Sequence, residues 1–195
     1  FMKNILLIGG SYGIGLAIAK ELQFENNVFI ASRSNENLAD VKATYIPFDA
    51  STDVLDTSKL PSVIDGLVYC PGSINLRPFK GIKPETFEAD LQINFISLVK
   101  VIQSVLPNLL ASEQASIVTF SSVAASMGMP FHTSVSASKG AIEGFAKALA
   151  AEYAPKIRVN VIAPSLTDTP LADKFLNNET KQEKSAERHP LKRFG

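Results

Sequence analysis

The chain has 195 residues, of which 46% are hydrophobic and 19% are charged, a size and composition typical of one globular domain with a substantial core. Its 19 basic side chains balance 19 acidic ones, so no basic excess favours nucleic-acid binding. A single cysteine, Cys70, excludes an internal disulfide and fits a reducing compartment, and we therefore expect a cytoplasmic protein.

The start of the chain carries no membrane or export pattern. Phe1 precedes Met2, which suggests that Phe1 is an added residue and that the natural chain begins at Met2. The first apolar run, Ile5–Ile8, stops at Gly9 after four residues, far short of a membrane span or a signal-peptide core. We expect neither a membrane partner nor secretion.

Short apolar segments bounded by Gly, Pro, Asn or Ser alternate with helical patterns along the chain. Such segments are typical of strands buried on both faces, and their alternation with helices predicts an α/β fold with a doubly wound parallel sheet. We predict a single domain over residues 2–195. The predicted strands are Asn4–Ile8, Val28–Ala31, Tyr45–Phe48, Leu67–Cys70, Ser116–Ser121 and Ile157–Ile162.

The clearest helical pattern is Pro84–Leu110, where apolar residues recur every three or four positions. Pro84 suits the first turn of this helix, whereas Pro107 should kink it or end it one turn early. A second helix is predicted over Ser134–Ala154. Small residues line one side of it, which indicates either an oligomer contact or tight packing on the sheet. They are Ala137, Gly140, Ala141, Gly144 and Ala148.

Two further segments are open to two interpretations. Met127–Phe131 is apolar and forms either the wall of a substrate pocket or part of the core. Residues 177–184 are polar and form either a solvated helix or a mobile flap. The interval from Arg33 to Asp49 is short for a helical crossover, so we expect one peripheral helix to be reduced or lost.

A glycine-rich turn follows the first strand directly and opens a helical pattern. It reads Gly9-Gly10-Ser11-Tyr12-Gly13-Ile14-Gly15, with the spacing G-x-x-x-G-x-G. At such a turn free backbone N–H groups and the positive end of a helix dipole can hold a dinucleotide pyrophosphate. The alternative is a tight turn with close helix packing and no ligand.

The end of the second strand predicts the choice of cofactor. An acidic residue there would bind a ribose 2′-hydroxyl, whereas an arginine accommodates a 2′-phosphate. The sequence has Arg33, flanked by Ser32 and Ser34 as further phosphate donors, and this favours NADPH over NADH. The alternative is a solvated surface arginine.

From the glycine turn to Thr169 the sequence resembles the short-chain dehydrogenase/reductase family. The family's T-G-x-x-x-G-x-G is similar to Ile8–Gly15, its N-N-A-G to Tyr69–Gly72, and its P-G-x-x-x-T to Pro164–Thr169. The resemblance implies a Rossmann-like fold, a nicotinamide cofactor and oxidoreductase activity on a small alcohol or carbonyl. The residues expected to bind the cofactor are Gly9, Ser11, Tyr12, Gly13, Ile14, Gly15, Ser32, Arg33, Ser34, Asp49, Ala50, Cys70, Gly72, Lys139, Thr167 and Thr169. No metal ligands are assigned.

The family's catalytic set is Asn, Ser, Tyr and Lys, and the resemblance implies Asn94, Ser122 and Lys139 for three of them. The tyrosine belongs four residues before the lysine, and that position is Val135. Ser121 is a weaker candidate than Ser122. Of the four tyrosines in the chain, only Tyr69 is expected in a loop near the cofactor.

Asn94 and Lys139 also stand out without the family, because both lie on the apolar stripes of their helices. A buried ammonium needs polar partners, which the hydroxyls of a cofactor ribose would supply. The alternatives are an asparagine bonded to main chain, and a lysine that snorkels or pairs with Glu143.

Two functions remain open at this stage. The first is an NADPH-dependent reductase in which Ser122, His132 or a water held by Lys139 replaces the tyrosine as proton donor. The second is a noncatalytic NADP(H)-binding or scaffold protein, favoured by Val135 and by the departures at Ile8, Tyr69–Pro71 and Ser165.

Two expectations concern the whole molecule. A homo-oligomer, dimer or tetramer, is expected through the 84–110 and 134–154 helices. Because family members continue with another helix and a last strand, we also expect that a C-terminal strand is missing from this chain.

Overall fold

The computed structural model describes residues 2–195 and contains one six-stranded sheet, in which every pair of neighbouring strands is parallel. The strand order is β3-β2-β1-β4-β5-β6, so the chain moves outward from the centre first to one side and then to the other. This confirms the predicted doubly wound sheet. The strands are β1 (Lys3–Ile8), β2 (Asn26–Ser32), β3 (Ala43–Pro47), β4 (Gly66–Tyr69), β5 (Ala115–Phe120) and β6 (Ile157–Ile162).

Helices fill most of the connections between these strands. They are α1 (Gly13–Leu22), α2 (Pro84–Leu91), α3 (Ser97–Leu110), α4 (Ala124–Met127), α5 (Thr133–Tyr153), α6 (Asp173–Leu176) and α7 (Glu179–Glu187). Single 3-10 turns lie at Thr57–Lys59 and Phe79–Gly81. Residues 33–42 contain no helix, as the short interval after Arg33 predicted.

Successive residues of a strand point to opposite faces of the sheet, and both faces are apolar here. On one face Leu6, Leu67 and Ile117 pack against α3 and α5, through side chains such as Leu98 and Ile142. On the other face Leu7, Ile30 and Val68 pack with Ala19 of α1. Burial of these aliphatic side chains, each contributing about 1.5–3 kcal/mol, holds the sheet between its helices.

The predicted helix over Pro84–Leu110 is present but is interrupted by a π-helical turn at Gln92–Ile96. The predicted early end at Pro107 is wrong, because α3 continues to Leu110. Pro107 and Gln103, whose carbonyl loses its partner, are both exposed, so water can satisfy that carbonyl.

The sequence of Pro84–Leu110 has a mean hydropathy of 1.5 over an 18-residue window, enough by length and composition for a membrane span. Only 39% of that window is buried inside the chain. Leu98, Val105 and Leu109 face the sheet and belong to its core. Leu110 and Ile96, in contrast, are each 39% exposed. The segment is thus a helix of the α/β fold whose outer face mixes these two apolar side chains with exposed Lys100 and Gln103.

For three surface segments the sequence allows two interpretations each, and the structure distinguishes between them. Met127 is 73% and Phe131 55% exposed, so the Met127–Phe131 segment does not belong to the core. The polar segment after residue 177 forms the exposed helix α7. Added Cβ atoms at Gly140 and Gly144 would meet nothing within 4 Å, so the small-residue side of α5 does not pack on the sheet.

Candidate cofactor and catalytic site

The site lies where the order of the strands reverses, at the carboxyl ends of β1 and β4. In open α/β sheets the loops diverge at this point and leave a crevice. Here the crevice has a volume of about 510 Å³. Its floor is the glycine turn between β1 and α1, and its walls come from the segments after β2, β3, β4 and β6.

The glycine turn brings backbone directly to the floor of the crevice. Gly9 has a φ of +76°, which favours glycine, and a Cβ added to Gly15 would collide with the Gly9 carbonyl oxygen. Leu16 N donates to Tyr12 O as the first helical hydrogen bond of α1, and no acidic side chain lies in its first turn. The N–H groups at the start of α1 can therefore bind an anion, with the helix dipole favouring negative charge.

The end of β2 places Arg33 on the wall of the crevice, with its side chain exposed. Within residues 2–195 its guanidinium forms no salt bridge. Ser32 is buried and donates from Oγ to Ser34 O at 2.9 Å, while Ser34 Oγ accepts from Glu36 N and lies outside the crevice lining. Among these described residues Arg33 thus has a free guanidinium at the crevice wall. The Ser32 hydroxyl already gives its hydrogen to Ser34 O, and the Ser34 hydroxyl keeps its hydrogen but lies outside the lining.

The crevice brings together thirteen residues that the sequence assigns to a cofactor: Gly9, Ser11, Tyr12, Gly13, Ile14, Gly15, Ser32, Arg33, Asp49, Ala50, Cys70, Gly72 and Thr169. Residues that the sequence reasoning missed also line it, namely Ile8, Ala31, Phe48, Ser51, Pro71, Ile93, Pro170 and Leu171. Most of these are immediate sequence neighbours of assigned residues. Ile93 belongs to the π-helical turn, which the apolar pattern did not reveal.

Asn94 and Lys139 both approach Gly72, although neither residue lines the crevice itself. A Cβ added to Gly72 would lie 3.1 Å from Asn94 Oδ1 and 3.3 Å from Lys139 Nζ, so a larger residue here would press on both side chains. Asn94 Nδ2 donates to Ser73 Oγ and to Asp90 O, whereas its Oδ1 is buried without a hydrogen-bond partner among the described residues. An unpaired buried acceptor costs about 1–3 kcal/mol, which a bound donor would recover.

Lys139 is 8% exposed, and its Nζ donates to Phe120 O at 2.8 Å. Burial lowers the pKa of this ammonium from its ordinary value of 10.5 to about 8, while Cys70 and Asp90 act in the opposite direction. Burial raises the pKa of the neighbouring Cys70 thiol to about 12, so this thiol is protonated at neutral pH. An ammonium with three donors and one protein acceptor suits a ligand that carries hydroxyl groups.

The other catalytic candidates lie after β5 and in or beside the first turn of α5. Ser122 follows β5, is half-buried, and accepts at Oγ from Ala124 N at 3.2 Å. Ser121 is buried and donates to Glu143 Oε1 at 2.6 Å, which commits its hydroxyl and favours Ser122. Val135 is 5% exposed, and His132 shares a 2.7 Å hydrogen bond between Nδ1 and Pro130 O.

The segment after β6 crosses the mouth of the site. Val123 N donates to Pro164 O, which ties its start to the Ser122 loop, and the Thr169 side chain packs against Gly13 at its other end. Thr169 Oγ1 donates to Thr167 O, and Thr167 Oγ1 donates to Ser165 O. Of these two threonines, Thr169 lines the crevice and Thr167 does not.

The expected loop position of Tyr69 is wrong. Tyr69 is the last residue of β4, is almost fully buried, and donates from its hydroxyl to Ile93 O at 2.7 Å. Burial raises its pKa, so the hydroxyl is a permanent donor to the π-helical turn. Tyr69 is not part of the crevice lining and supports the position of Asn94 instead.

Comparison with known proteins gives one family. The family model described as short chain dehydrogenase matches residues 3–180. The 3-oxoacyl-[acyl-carrier-protein] reductase of Thermotoga maritima is 31% identical over 210 aligned positions, which cover 99% of this chain and 85% of that protein.

Solved structures agree with the sequence relatives. The aldohexose dehydrogenase of Thermoplasma acidophilum superposes with a TM-score of 0.88 at 26% identity, covering 100% of this chain and 82% of that one. A single-substitution variant of the actinorhodin polyketide ketoreductase, solved with NADPH, superposes with a TM-score of 0.90 at 25% identity, covering 100% and 85%. Fold and sequence thus point to the same group of proteins.

Proposed function

Since the chain belongs to the short-chain dehydrogenase/reductase family, we propose that it is an NADPH-dependent oxidoreductase acting on a small alcohol or carbonyl without the usual catalytic tyrosine. The observation that supports this proposal is that Asn94 Oδ1 and Lys139 Nζ both approach Gly72, a residue of the crevice wall. A buried ammonium and an unpaired buried acceptor are costly to keep unless a ligand completes them.

In this function each part of the crevice binds one part of the cofactor. The glycine turn and the start of α1 would bind the pyrophosphate, and Arg33 would bind the 2′-phosphate. Asp49 and Ala50 would hold the adenine, Lys139 would donate to the ribose hydroxyls, and Thr169 would hold the nicotinamide end. The cofactor, when bound, supplies the hydride for reduction of a carbonyl.

The proton must come from a group other than Val135, which has no exchangeable hydrogen. Ser122 is the first candidate, because its hydroxyl accepts only one backbone N–H and its own hydrogen is free to donate. His132 is the second candidate. Its Nδ1 donates to Pro130 O, so Nε2 is the ring nitrogen that is left to interact with a substrate. General acid catalysis typically raises the reaction rate about 10²–10⁴-fold. We therefore expect an enzyme whose proton donor is not the usual tyrosine to be slow.

The test is NADPH oxidation, followed by absorbance, with wild type and Val135→Tyr run against the same panel of small carbonyl compounds. We expect slow turnover by wild type and faster turnover by Val135→Tyr, because the tyrosine adds a donor beside Lys139. Lys139→Met is the matched control, and its turnover should be lost in both backgrounds.

The outcomes separate the two functions. Turnover by wild type that falls in Ser122→Ala supports the reductase and its proton donor. Turnover by Val135→Tyr alone, with NADPH bound by wild type, supports the noncatalytic NADP(H)-binding protein, which the buried Val135 favours. Absence of NADPH binding in folded wild type contradicts both.

We also propose that the protein is a homo-oligomer built through α2–α3 and α5. Support comes from the partly exposed Ile96 and Leu110 on the Pro84–Leu110 segment and from the open space around Gly140 and Gly144. Small residues on a helix let a second backbone approach closely.

A further inference from the structure

Asp90 is a carboxylate at the end of α2 to which the sequence assigns no role. It is 0% exposed. Transfer of an ionised carboxylate from water into a protein interior costs several kcal/mol unless hydrogen bonds and charges compensate. The groups that compensate Asp90 therefore indicate what it does.

Three donors from two other segments converge on this carboxylate. Ser73 Oγ donates to Oδ1 at 2.5 Å and Asn75 Nδ2 donates to Oδ1 at 2.6 Å, both from the loop after β4. Ser134 Oγ, in the first turn of α5, donates to Oδ2 at 2.6 Å. Three donors suit an ionised carboxylate, which only accepts hydrogen bonds.

The directions of these hydrogen bonds lead from Asp90 to the site. Because Ser73 gives its hydrogen to Asp90, its oxygen accepts from Asn94 Nδ2 at 2.9 Å, and the Asp90 carbonyl accepts from the same nitrogen at 2.8 Å. The amide of Asn94 is thereby fixed with Oδ1 toward Gly72 and Lys139 Nζ. The reversed amide would place oxygen against oxygen at both contacts.

Asp90 also lies near Lys139, since the Asn94 side chain that bonds to the Asp90 carbonyl and Lys139 Nζ both approach Gly72. Burial lowers the pKa of Lys139, and Cys70 from the end of β4 and Asp90 from α2 oppose this effect. Glu143, one turn further along α5, is bonded to Ser121. Because the Cys70 thiol is protonated at neutral pH, Asp90 is the negative charge available to the ammonium there.

We propose that Asp90 is a positioning residue of the nicotinamide site: it holds the loop after β4, Asn94 and the start of α5 together, and it places a negative charge near Lys139. The proposal rests on the proposed function, because it assigns Asp90 to the same cofactor site. It also predicts a property of the cofactor-free protein, since the hydrogen bonds and the charge are present without ligand.

Asp90→Asn separates charge from shape. Asparagine keeps a carbonyl oxygen for Ser73 and Asn75, and its amide nitrogen can donate to the Ser134 hydroxyl, so the hydrogen bonds are retained while the charge is lost. Glu88→Gln is the matched control. It removes one negative charge from the exposed side of the same helix.

The measurement is the ¹³Cε chemical shift of Lys139 against pH in cofactor-free protein labelled on lysine, with the resonance assigned by its loss in Lys139→Met. We expect the titration midpoint to fall by about half a pH unit or more in Asp90→Asn and to stay unchanged in Glu88→Gln. An unchanged midpoint in folded Asp90→Asn overturns the electrostatic part of the proposal.

Ser73→Ala tests the positioning part and replaces Asp90→Asn if that variant does not fold. It leaves the charge in place but breaks the connection from Asp90 to Asn94. We expect the side-chain amide resonances of Asn94 to shift and NADPH affinity to fall by about three- to ten-fold, with the Lys139 midpoint unchanged. Wild-type amide resonances and wild-type affinity in Ser73→Ala overturn the positioning role.

The two readouts keep the inference distinct from the proposed function. If wild type binds no NADPH, the proposed function fails, and the titration of Lys139 and the resonances of Asn94 still decide whether Asp90 acts on them. If wild type binds NADPH and neither variant differs from it, the inference fails and the proposed function stands.

Discussion

Lys139 holds its ammonium in an environment that favours the neutral amine. The pKa lies at about 8 rather than 10.5 because the side chain is buried, so the charge is present at pH 7 and is lost as the pH rises past about 8. A ligand bound through this ammonium must follow the same titration.

We expect the affinity for NADPH to fall as the pH rises from about 7.5 through 8 to 9, because the ammonium is lost over that range. The measurement is a fluorescence titration with NADPH at several pH values. Lys139→Met should bind weakly at pH 7 and show no such decline. An affinity that is independent of pH up to 10 would show that Lys139 does not hold the cofactor as an ammonium.

Arg33 gives a second prediction at the scale of the residue, because its charge faces the crevice without a salt bridge among residues 2–195. Arg33→Ala should weaken NADPH binding by about 10- to 100-fold, the value of a charge-assisted bond to phosphate, and should change NADH binding little. Lys42→Ala, an exposed cation outside the crevice, is the control. Equal losses for NADPH and NADH would contradict the assignment of a 2′-phosphate site.

The residues of the site differed in how readily the sequence revealed them. Gly9 and Arg33 follow strands that short apolar runs make recognisable, so their place at the carboxyl edge of the sheet could be predicted. Asn94 and Lys139 were conspicuous because they are polar residues on apolar stripes. Asp90 was missed, because its donors Ser73, Asn75 and Ser134 are distant in sequence and nothing local marks their convergence.

At the scale of the element, the π-helical turn Gln92–Ile96 is the feature that shapes the site. The turn holds one more residue than an α-helical turn. Ile93 of this turn lines the crevice, and the side chain of Asn94 bonds to the Asp90 carbonyl. The apolar periodicity predicted a continuous helix here, because one extra residue in a turn leaves the three- and four-residue spacing nearly intact. Propensity and pattern therefore could not reveal it.

Tyr69→Phe tests whether the π-helical turn depends on its support from β4. The change removes the hydroxyl that donates to Ile93 O, so we expect a loss of about 0.5–1.5 kcal/mol in the free energy of unfolding. We also expect weaker NADPH binding, since Asn94 follows Ile93 directly. Denaturant unfolding and a fluorescence titration measure the two effects. Wild-type values for both would show that the turn is held by its own backbone.

At the scale of the whole molecule, one chain leaves two adjoining helical elements incompletely covered. On α2–α3 the apolar side chains of Ile96 and Leu110 are each 39% exposed, and Gly144 on α5 has open space around it. The proposed oligomer would form through these two surfaces, where association would bury the exposed aliphatic groups.

Gly144→Glu therefore tests the assembly without disturbing the single chain. A Cβ added at Gly144 meets nothing within 4 Å, and glutamate is a better helix former than glycine, so the monomer should fold and gain about 0.5–1 kcal/mol. At a contact between copies the same side chain adds bulk and an unpaired charge, which should dissociate the oligomer. Gly81→Glu is the control, because its Cβ also meets open space but lies outside α2–α3 and α5. Light scattering after size exclusion measures the mass, and an oligomer that withstands Gly144→Glu would place the contact elsewhere.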